Sequence, residues 1–360
     1  MERRKFLKGA AVAGAASTLA APAVAQSKIE MVIVSSWPRD FPGLGLPAQR
    51  LAERIGELTD GRFDVQYFAS GERVGGFDVF DEVASGNAQA YNSADYYWKG
   101  KHPGWAAFTA IPFGMTYTEI DAWMKFGGGQ ELWDELGDQF GLKNLACGNT
   151  GVQMGGWFNK EIESADDLKG LKMRIPGLGG DVMAKLGASP VSVPGGQIYE
   201  NLVSGAIDAT EWVGPYNDYF MKFYEAAKFY YWPGMHEPGA QIAFGMNKSW
   251  WEGLSKNDQN ILQAACNESN ANVMAETNAF NGEYLNRLIN DHGVQLREFN
   301  DDVYDAFGEA SAEVTEEARE FDDLSKRIYD AVLEKRAELG AWTALSDTAY
   351  VQKRNAVINQ

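Results

Sequence analysis

Apolar residues dominate positions 29–36, interrupted at Glu30 and closed by two serines, and this run predicts a buried strand. Across 47–58 the apolar positions recur at helical spacing, and Gly61 stops the helix. Residues 62–68 predict another strand, 80–85 a short helix and 88–92 a short strand. This β-α-β-α-β alternation argues for an α/β lobe with a mainly parallel sheet. The pattern restarts near 151. Strands are predicted over 151–159 and 172–175, then a helix over 180–186 ended by Gly187. A strand over 190–193, a helix over 198–204 and a strand over 206–212 complete the second series. Residues 241–247 predict a returning strand that re-enters the first lobe. Ser255 with Asp258 begins a capped helix that runs to about His292, unusually long for a globular protein. A short strand over 294–299 precedes a charged helical region over 301–340, whose polar face reads as solvated rather than as a partner helix.

The chain has 360 residues, 45% of them hydrophobic and 23% charged, which suits about two domains or lobes with a sizeable core. Its net charge of −18 disfavours nucleic acid and anionic lipid as partners. Any anion site must therefore be built locally from fixed positive groups. Residues 1–25 read as a twin-arginine export signal. Arg3-Arg4-Lys5-Phe6-Leu7-Lys8 leads into a run of small apolar residues, and Ala23-Val24-Ala25 offers a cleavage site. The run is too short and alanine-rich for a stable membrane span, which predicts a soluble periplasmic protein. The two cysteines, Cys147 and Cys266, are compatible with one disulfide or with two buried thiols.

Catalytic motifs are missing. The three histidines, His102, His236 and His292, pair with no recognisable nucleophile motif, and no phosphate-binding glycine loop is present. Arg174 is the only arginine between Arg73 and Arg287. A guanidinium matches a carboxylate with two hydrogen bonds, so Arg174 reads either as an anion clamp or as a structural ion pair with Asp166 or Asp167. Aromatic clusters at Tyr96-Tyr97-Trp98, Tyr230-Tyr231-Trp232 and Trp250-Trp251 suit core packing by default. However, Tyr96-Tyr97, Arg174 and Glu211-Trp212 all follow predicted strands. In open α/β sheets, ligands collect beyond the carboxyl ends of strands.

The stretch Asp167-Leu168-Lys169-Gly170-Leu171-Lys172-Met173-Arg174-Ile175-Pro176 is followed by Leu186-Gly187-Ala188-Ser189-Pro190-Val191. Tyr199-Glu200 and Gly205-Ala206-Ile207-Asp208-Ala209-Thr210-Glu211-Trp212 come after. This order resembles the substrate-binding proteins of tripartite ATP-independent periplasmic (TRAP) transporters over essentially the whole mature chain. The resemblance implies an α/β, two-lobed periplasmic solute-binding fold with crossing strands and a long C-terminal helix spanning both lobes. It places lobe 1 at 26–150, lobe 2 at 151–240, and the returning strand and C-terminal helices at 241–360. The match favours the branch that binds small 2-oxo or 2-hydroxy monocarboxylates together with a metal ion. By that likeness Arg174 clamps the substrate carboxylate. Gln153, Glu211, Trp212 (through its carbonyl) and Gln241 hold the cation. Gln153, Tyr96, Tyr97, Trp212 and Asn217 line the substrate.

Electrostatics agree with that reading. Glu211 and a substrate carboxylate facing Arg174 in a dry cleft leave one uncompensated negative charge, which is expensive. Either Glu211 takes a proton or a cation joins, and amide and carbonyl oxygens beside a carboxylate suit Na⁺ or Ca²⁺ rather than zinc. Hydrogen bonding within strands is the alternative role for Gln153 and Gln241. The expected function is a non-enzymatic receptor that closes on the acid and delivers it to the membrane subunits of a transporter. Two alternatives remain open: a receptor for another organic anion, such as a dicarboxylate or longer 2-oxo acid, and a secreted lyase or hydrolase using Glu211 as base. A homodimer through the C-terminal helices is a further expectation.

Overall fold

The computed structural model describes residues 28–358, so the export signal lies outside the described residues. The first sheet begins with β1 (Ile29–Ser35), α1 (Gly45–Leu58), β2 (Phe63–Phe68), α2 (Val79–Ala84) and β3 (Ala90–Ser93). Helices α3 (Gly104–Ala107), α4 (Tyr117–Phe126) and α5 (Gly129–Gln139) follow, then β4 (Leu142–Asn149). The second sheet takes β5 (Gly156–Phe158), β6 (Lys172–Arg174), α6 (Gly177–Lys185), β7 (Ser189–Val191), α7 (Ile198–Val203), β8 (Ala209–Thr210), α8 (Pro215–Met221) and β9 (Phe229–Trp232). The chain then returns through β10 (Gln241–Asn247), α9 (Lys248–Gly253), α10 (Lys256–His292), β11 (Gln295–Glu298), α11 (Asp301–Arg319), α12 (Asp323–Thr343) and α13 (Ala349–Ile358).

The strand order is β2-β1-β3-β10-β4 in one sheet and β11-β9-β5-β8-β6-β7 in the other. Strands β1, β2 and β3 pair parallel, as the β-α-β pattern predicts. Both sheets are nevertheless mixed, because crossing between lobes reverses direction. Strand β10 lies antiparallel to β3 and β4, and β5 antiparallel to β8 and β9. Strand β10 does re-enter the first sheet, and β11 joins the second beside β9.

Two segments join the lobes side by side, 150–155 leaving and 233–240 returning. The Thr150 amide donates to the Ala240 carbonyl at 3.0 Å, Gln153 to Glu237 at 3.1 Å, and Gly234 to Gln153 at 3.1 Å. This explains why the strand expected over 151–159 shrinks to three residues. Gly151 sits at φ +69, and the amides of Met154 and Gly155 bond Val213 and Tyr231 rather than one ladder partner. The strand expected over 206–212 likewise shrinks to β8. Helix α10 forms the third crossing: it packs on β4 and α1 of the first lobe and on α8 of the second. The region 301–340 is two helices, because the Asp322 side chain accepts from the Ser325 amide and starts a new one. Helix α11 packs on α6, whereas α12 packs on α3, α4 and α5.

Both cysteines are free and buried. Among the described residues, no helix is long and apolar enough to cross a membrane.

Candidate functional site

The loops at the carboxyl ends of β1, β3, β6 and β8, together with the two crossing segments, converge on one buried polar cluster. Arg174 closes β6 and is 0% exposed, an arrangement that only a strong local anion makes affordable. That anion is Glu211, not Asp166 or Asp167. Arg174 Nη1 pairs with Glu211 Oε1, and the Glu211 amide donates to the Arg174 carbonyl at 3.2 Å. Asp166 pairs instead with Lys169 at 2.6 Å, and Asp167 caps the turn at Ser164. Arg174 Nε also donates to the Val193 carbonyl at 3.2 Å. Burial works against the Arg174 charge, but Glu211 and the two tyrosine hydroxyls outweigh it and raise the guanidinium's pKa.

The returning segment adds His236 and Glu237, both buried. Ligand atoms of Glu211, His236 and Glu237 all lie within 4.8 Å of one another, the one such cluster among the described residues. His236 Nε2 stands 3.3 Å from Glu211 Oε2 without hydrogen-bond alignment. Glu237 Oε2 accepts from Gln153 Nε2 at 2.7 Å, and the same amide donates to Thr150 Oγ1 at 3.0 Å. Burial, then the neighbouring Glu211 charge, push the Glu237 carboxyl well above the usual carboxylate range. Burial also raises the phenols of Tyr96 and Tyr97, which stand close to the charges of Arg174, Glu211 and Glu237.

Trp212 follows Glu211. Its ring lies 5.4 Å from Arg174 Cζ and meets Trp37 and Phe41 of the other lobe edge-on, each at 6.2 Å. Asn217, in the first turn of α8, is buried against Gly43 of the first lobe; Gly43 holds φ +81, and a Cβ there would overlap the Asn217 amide. Lys99 of the first lobe pairs with Asp181 of the second, so the lobes are closed on each other.

Of the predicted site residues, Arg174, Gln153, Tyr96, Tyr97, Glu211, Trp212 and Asn217 lie at this interlobe surface. Gln241 is buried at the start of β10, but its amide nitrogen donates to the Phe108 carbonyl at 3.1 Å and ties that strand to the first lobe. The sequence pattern singles out neither Glu237 nor Trp37, and it places His236 in no nucleophile motif. An acid beside a histidine within an apolar Gly/Pro-rich loop was the available signal for the pair.

Six of the thirteen buried side-chain polar atoms without a partner among the described residues belong to this cluster: Gln153 Oε1, Arg174 Nη2, Glu211 Oε2, Trp212 Nε1, Asn217 Oδ1 and His236 Nε2. Buried polar atoms are ordinarily satisfied. Oxygens of a glutamine and a glutamate beside a second carboxylate suit a hard cation, while an open guanidinium nitrogen suits an anion's oxygen.

The model of bacterial extracellular solute-binding proteins, family 7, matches residues 34–321. The chain belongs to that family. A twin-arginine translocation signal matches residues 1–20, so this solute-binding protein is exported to the periplasm, and its resemblance to the TRAP receptors is borne out. It is 38% identical over 358 residues to the monocarboxylate 2-oxoacid-binding periplasmic protein of Nostoc sp., covering 97% of this chain and 98% of the relative. A TRAP periplasmic solute-binding protein from Pseudoalteromonas atlantica, with bound sodium and pyruvate, superposes with TM-score 0.88 at 38% identity, covering 91% of this chain and 99% of that one. A third relative, from Colwellia psychrerythraea with bound calcium and pyruvate, has TM-score 0.88 at 39% identity, covering 91% and 100%. The two-lobed fold with its long crossing helix is therefore the family's own.

Proposed function

We propose that this protein is the receptor of a TRAP transporter and captures a small 2-oxo or 2-hydroxy monocarboxylate, pyruvate- or lactate-like, together with Na⁺ or Ca²⁺. The observation that carries the reading is the charge pattern of the buried cluster. Arg174 has one guanidinium nitrogen free of partners while two carboxylates, Glu211 and Glu237, stand beside it. An incoming carboxylate makes three acidic groups against one guanidinium. Such an imbalance is relieved either by a proton on Glu237, whose carboxyl burial and Glu211 already push up, or by a cation that takes the proton's place. Arg174 clamps the substrate carboxylate, and Tyr96, Tyr97, Asn217 and the Trp212 indole surround the acid. Gln153 Oε1, Glu211, Glu237 and the Trp212 carbonyl would hold the cation, which supplies charge compensation. Gln241 Nε2 ties β10 to Phe108, and its Oε1 is the further oxygen for the cation, with Glu237 added to the ligands expected from the sequence.

Of the described residues, those within 26–150 belong to the first lobe, those within 151–240 to the second, and those within 241–360 to the return and the helices that pack on both. The crossing segments carry Gln153, His236 and Glu237, so the cation site sits where the lobes hinge, and ligand contacts to both lobes favour closure. The protein binds without turnover: Glu211, tied to Arg174, is poorly disposed to act as the base of a lyase or hydrolase. Its partners are the transporter's membrane subunits. A homodimer is supported by the C-terminal helices, where Trp342, Leu345, Val357 and Ile358 are exposed; light scattering that gives a strictly monomeric mass removes it. Incubation with pyruvate or lactate, followed by NMR, tests the reading. Stoichiometric binding with the acid unchanged is expected, and a new product returns the enzyme reading.

A further inference from the structure

Aromatic rings from both lobes pack beside the polar cluster at Arg174. Trp37 follows β1, the strand flanked by β2 and β3, at the carboxyl end where the cleft lies. Trp37 is 2% exposed, its backbone is held at two points and its indole at one. Nε1 donates to Asn92 Oδ1 at 2.6 Å, its amide to Ser35 Oγ at 3.2 Å, and its carbonyl accepts from the Ser70 amide at 2.9 Å. Asn92 is itself pinned, donating to Cys147 Sγ at 3.1 Å. The Trp37 ring meets Tyr97 at 6.2 Å and Trp212 at 6.2 Å, the two rings that flank Arg174. Phe41 backs Trp212 at 6.2 Å, and Phe77 backs Tyr97 at 4.5 Å.

We infer that Trp37 is a specificity-determining residue: a rigid wall opposite the Arg174 clamp that sets the length of the alkyl group a 2-oxo acid can carry. The inference rests on the receptor reading above and deepens it. An acid whose carboxylate sits on Arg174 extends its carbon chain away from the charged cluster, toward the rings. A wall fixed by a 2.6 Å hydrogen bond cannot turn aside as a flexible methionine or leucine would. The one polar atom of the Trp37 ring, Nε1, is taken by Asn92, so its only available contact with the ligand is shape, whereas Trp212 Nε1 has no protein partner among the described residues.

The competing role is packing alone, with Trp37 serving to seat Trp212 as the lobes close. Selectivity separates the two. Wild type, Trp37→Phe and Trp37→Ala are titrated calorimetrically with pyruvate, 2-oxobutanoate and 2-oxohexanoate in calcium buffer. Methylene-sized differences in a pocket are worth about tenfold or more in discrimination. Trp37→Ala is expected to shift the affinity ratio of 2-oxohexanoate to pyruvate by at least about tenfold toward the longer acid. Trp37→Phe should shift it in the same direction by less, and it serves as the test should the alanine variant not fold. A uniform loss for all three acids, with the ratio unchanged, overturns the inference and leaves closure as the ring's role. Wild type binding none of the acids overturns the receptor reading, and this one with it.

Discussion

Replacing Arg174 by lysine separates the fork of the guanidinium from its charge. Arg174 serves three directions at once: Nη1 to Glu211, Nε to the Val193 carbonyl, and Nη2 to no protein atom. A lysine ammonium in the same place can satisfy Glu211 but cannot also hold Val193 and offer a second nitrogen to a ligand. The lost charge-assisted hydrogen bond is worth about 1.5–3 kcal/mol. At about 1.4 kcal/mol per factor of ten, the variant should bind pyruvate roughly 10- to 150-fold more weakly. Because one positive charge remains beside Glu211 and Glu237, its melting temperature should stay near the wild-type value. Arg174→Ala behaves differently. It strands two buried carboxylates, and removing one partner of a buried pair costs about 3–5 kcal/mol. That variant should lose both detectable binding and several degrees of thermal stability. Calorimetric titration with pyruvate at fixed calcium, paired with a thermal melt, reads both quantities. Affinity of Arg174→Lys within threefold of wild type, under about 1 kcal/mol, would refute the clamp.

Three further outcomes follow from the same geometry. Glu237→Gln removes one of two crowded carboxylates, so the ligand-free variant should melt higher while its calcium affinity falls at least about tenfold, as lost charge-assisted contacts predict; unchanged calcium titration excludes Glu237 from the cation site. Gly43→Ala forces a side chain into a left-handed turn and against Asn217 across the cleft, so pyruvate affinity should drop more than the roughly 1 kcal/mol of backbone strain accounts for; equal losses of affinity and stability would place the effect in the turn alone. Burial raises the Asp95 carboxyl, which accepts from Tyr91, Trp133 and Asn144, from its ordinary 3.8 to about 7. Its proton is held more tightly in the folded state, so stability from this group is present below about pH 4 and is lost as pH rises toward 7, by up to about 4 kcal/mol. Asp95→Asn should therefore show a flatter decline than wild type between pH 4.5 and 8 in urea melts, and parallel curves would disprove the assignment.

Much of the fold was legible because its signals are local. The apolar run at β1, the helical period of α1 and the Ser255 cap on α10 each announce their element without help from the rest of the chain. Strand β4 was not legible, since Lys143, Asn144 and Asn149 interrupt its apolar run. Asn144 is nonetheless fully buried and donates to Asp95 and Tyr91, a placement only tertiary structure reveals. Arg174, Glu211 and Trp212 were found because they end strands and match a family pattern. Glu237 and His236 were not, because the crossing segment that carries them has no periodicity, and its meaning lies in the neighbour it runs beside. The partner of Arg174 was likewise invisible to a search of nearby acids: Glu211 is 37 residues away and meets it through the parallel pairing of β6 and β8.

The most direct test is a calorimetric titration of the mature, chelator-treated protein with pyruvate, first in cation-free buffer and then with sodium or calcium restored. Saturable, one-to-one binding that appears or strengthens sharply when the cation returns is the predicted result. Binding of equal strength in its absence, or no binding of any 2-oxo or 2-hydroxy acid in its presence, would contradict the account.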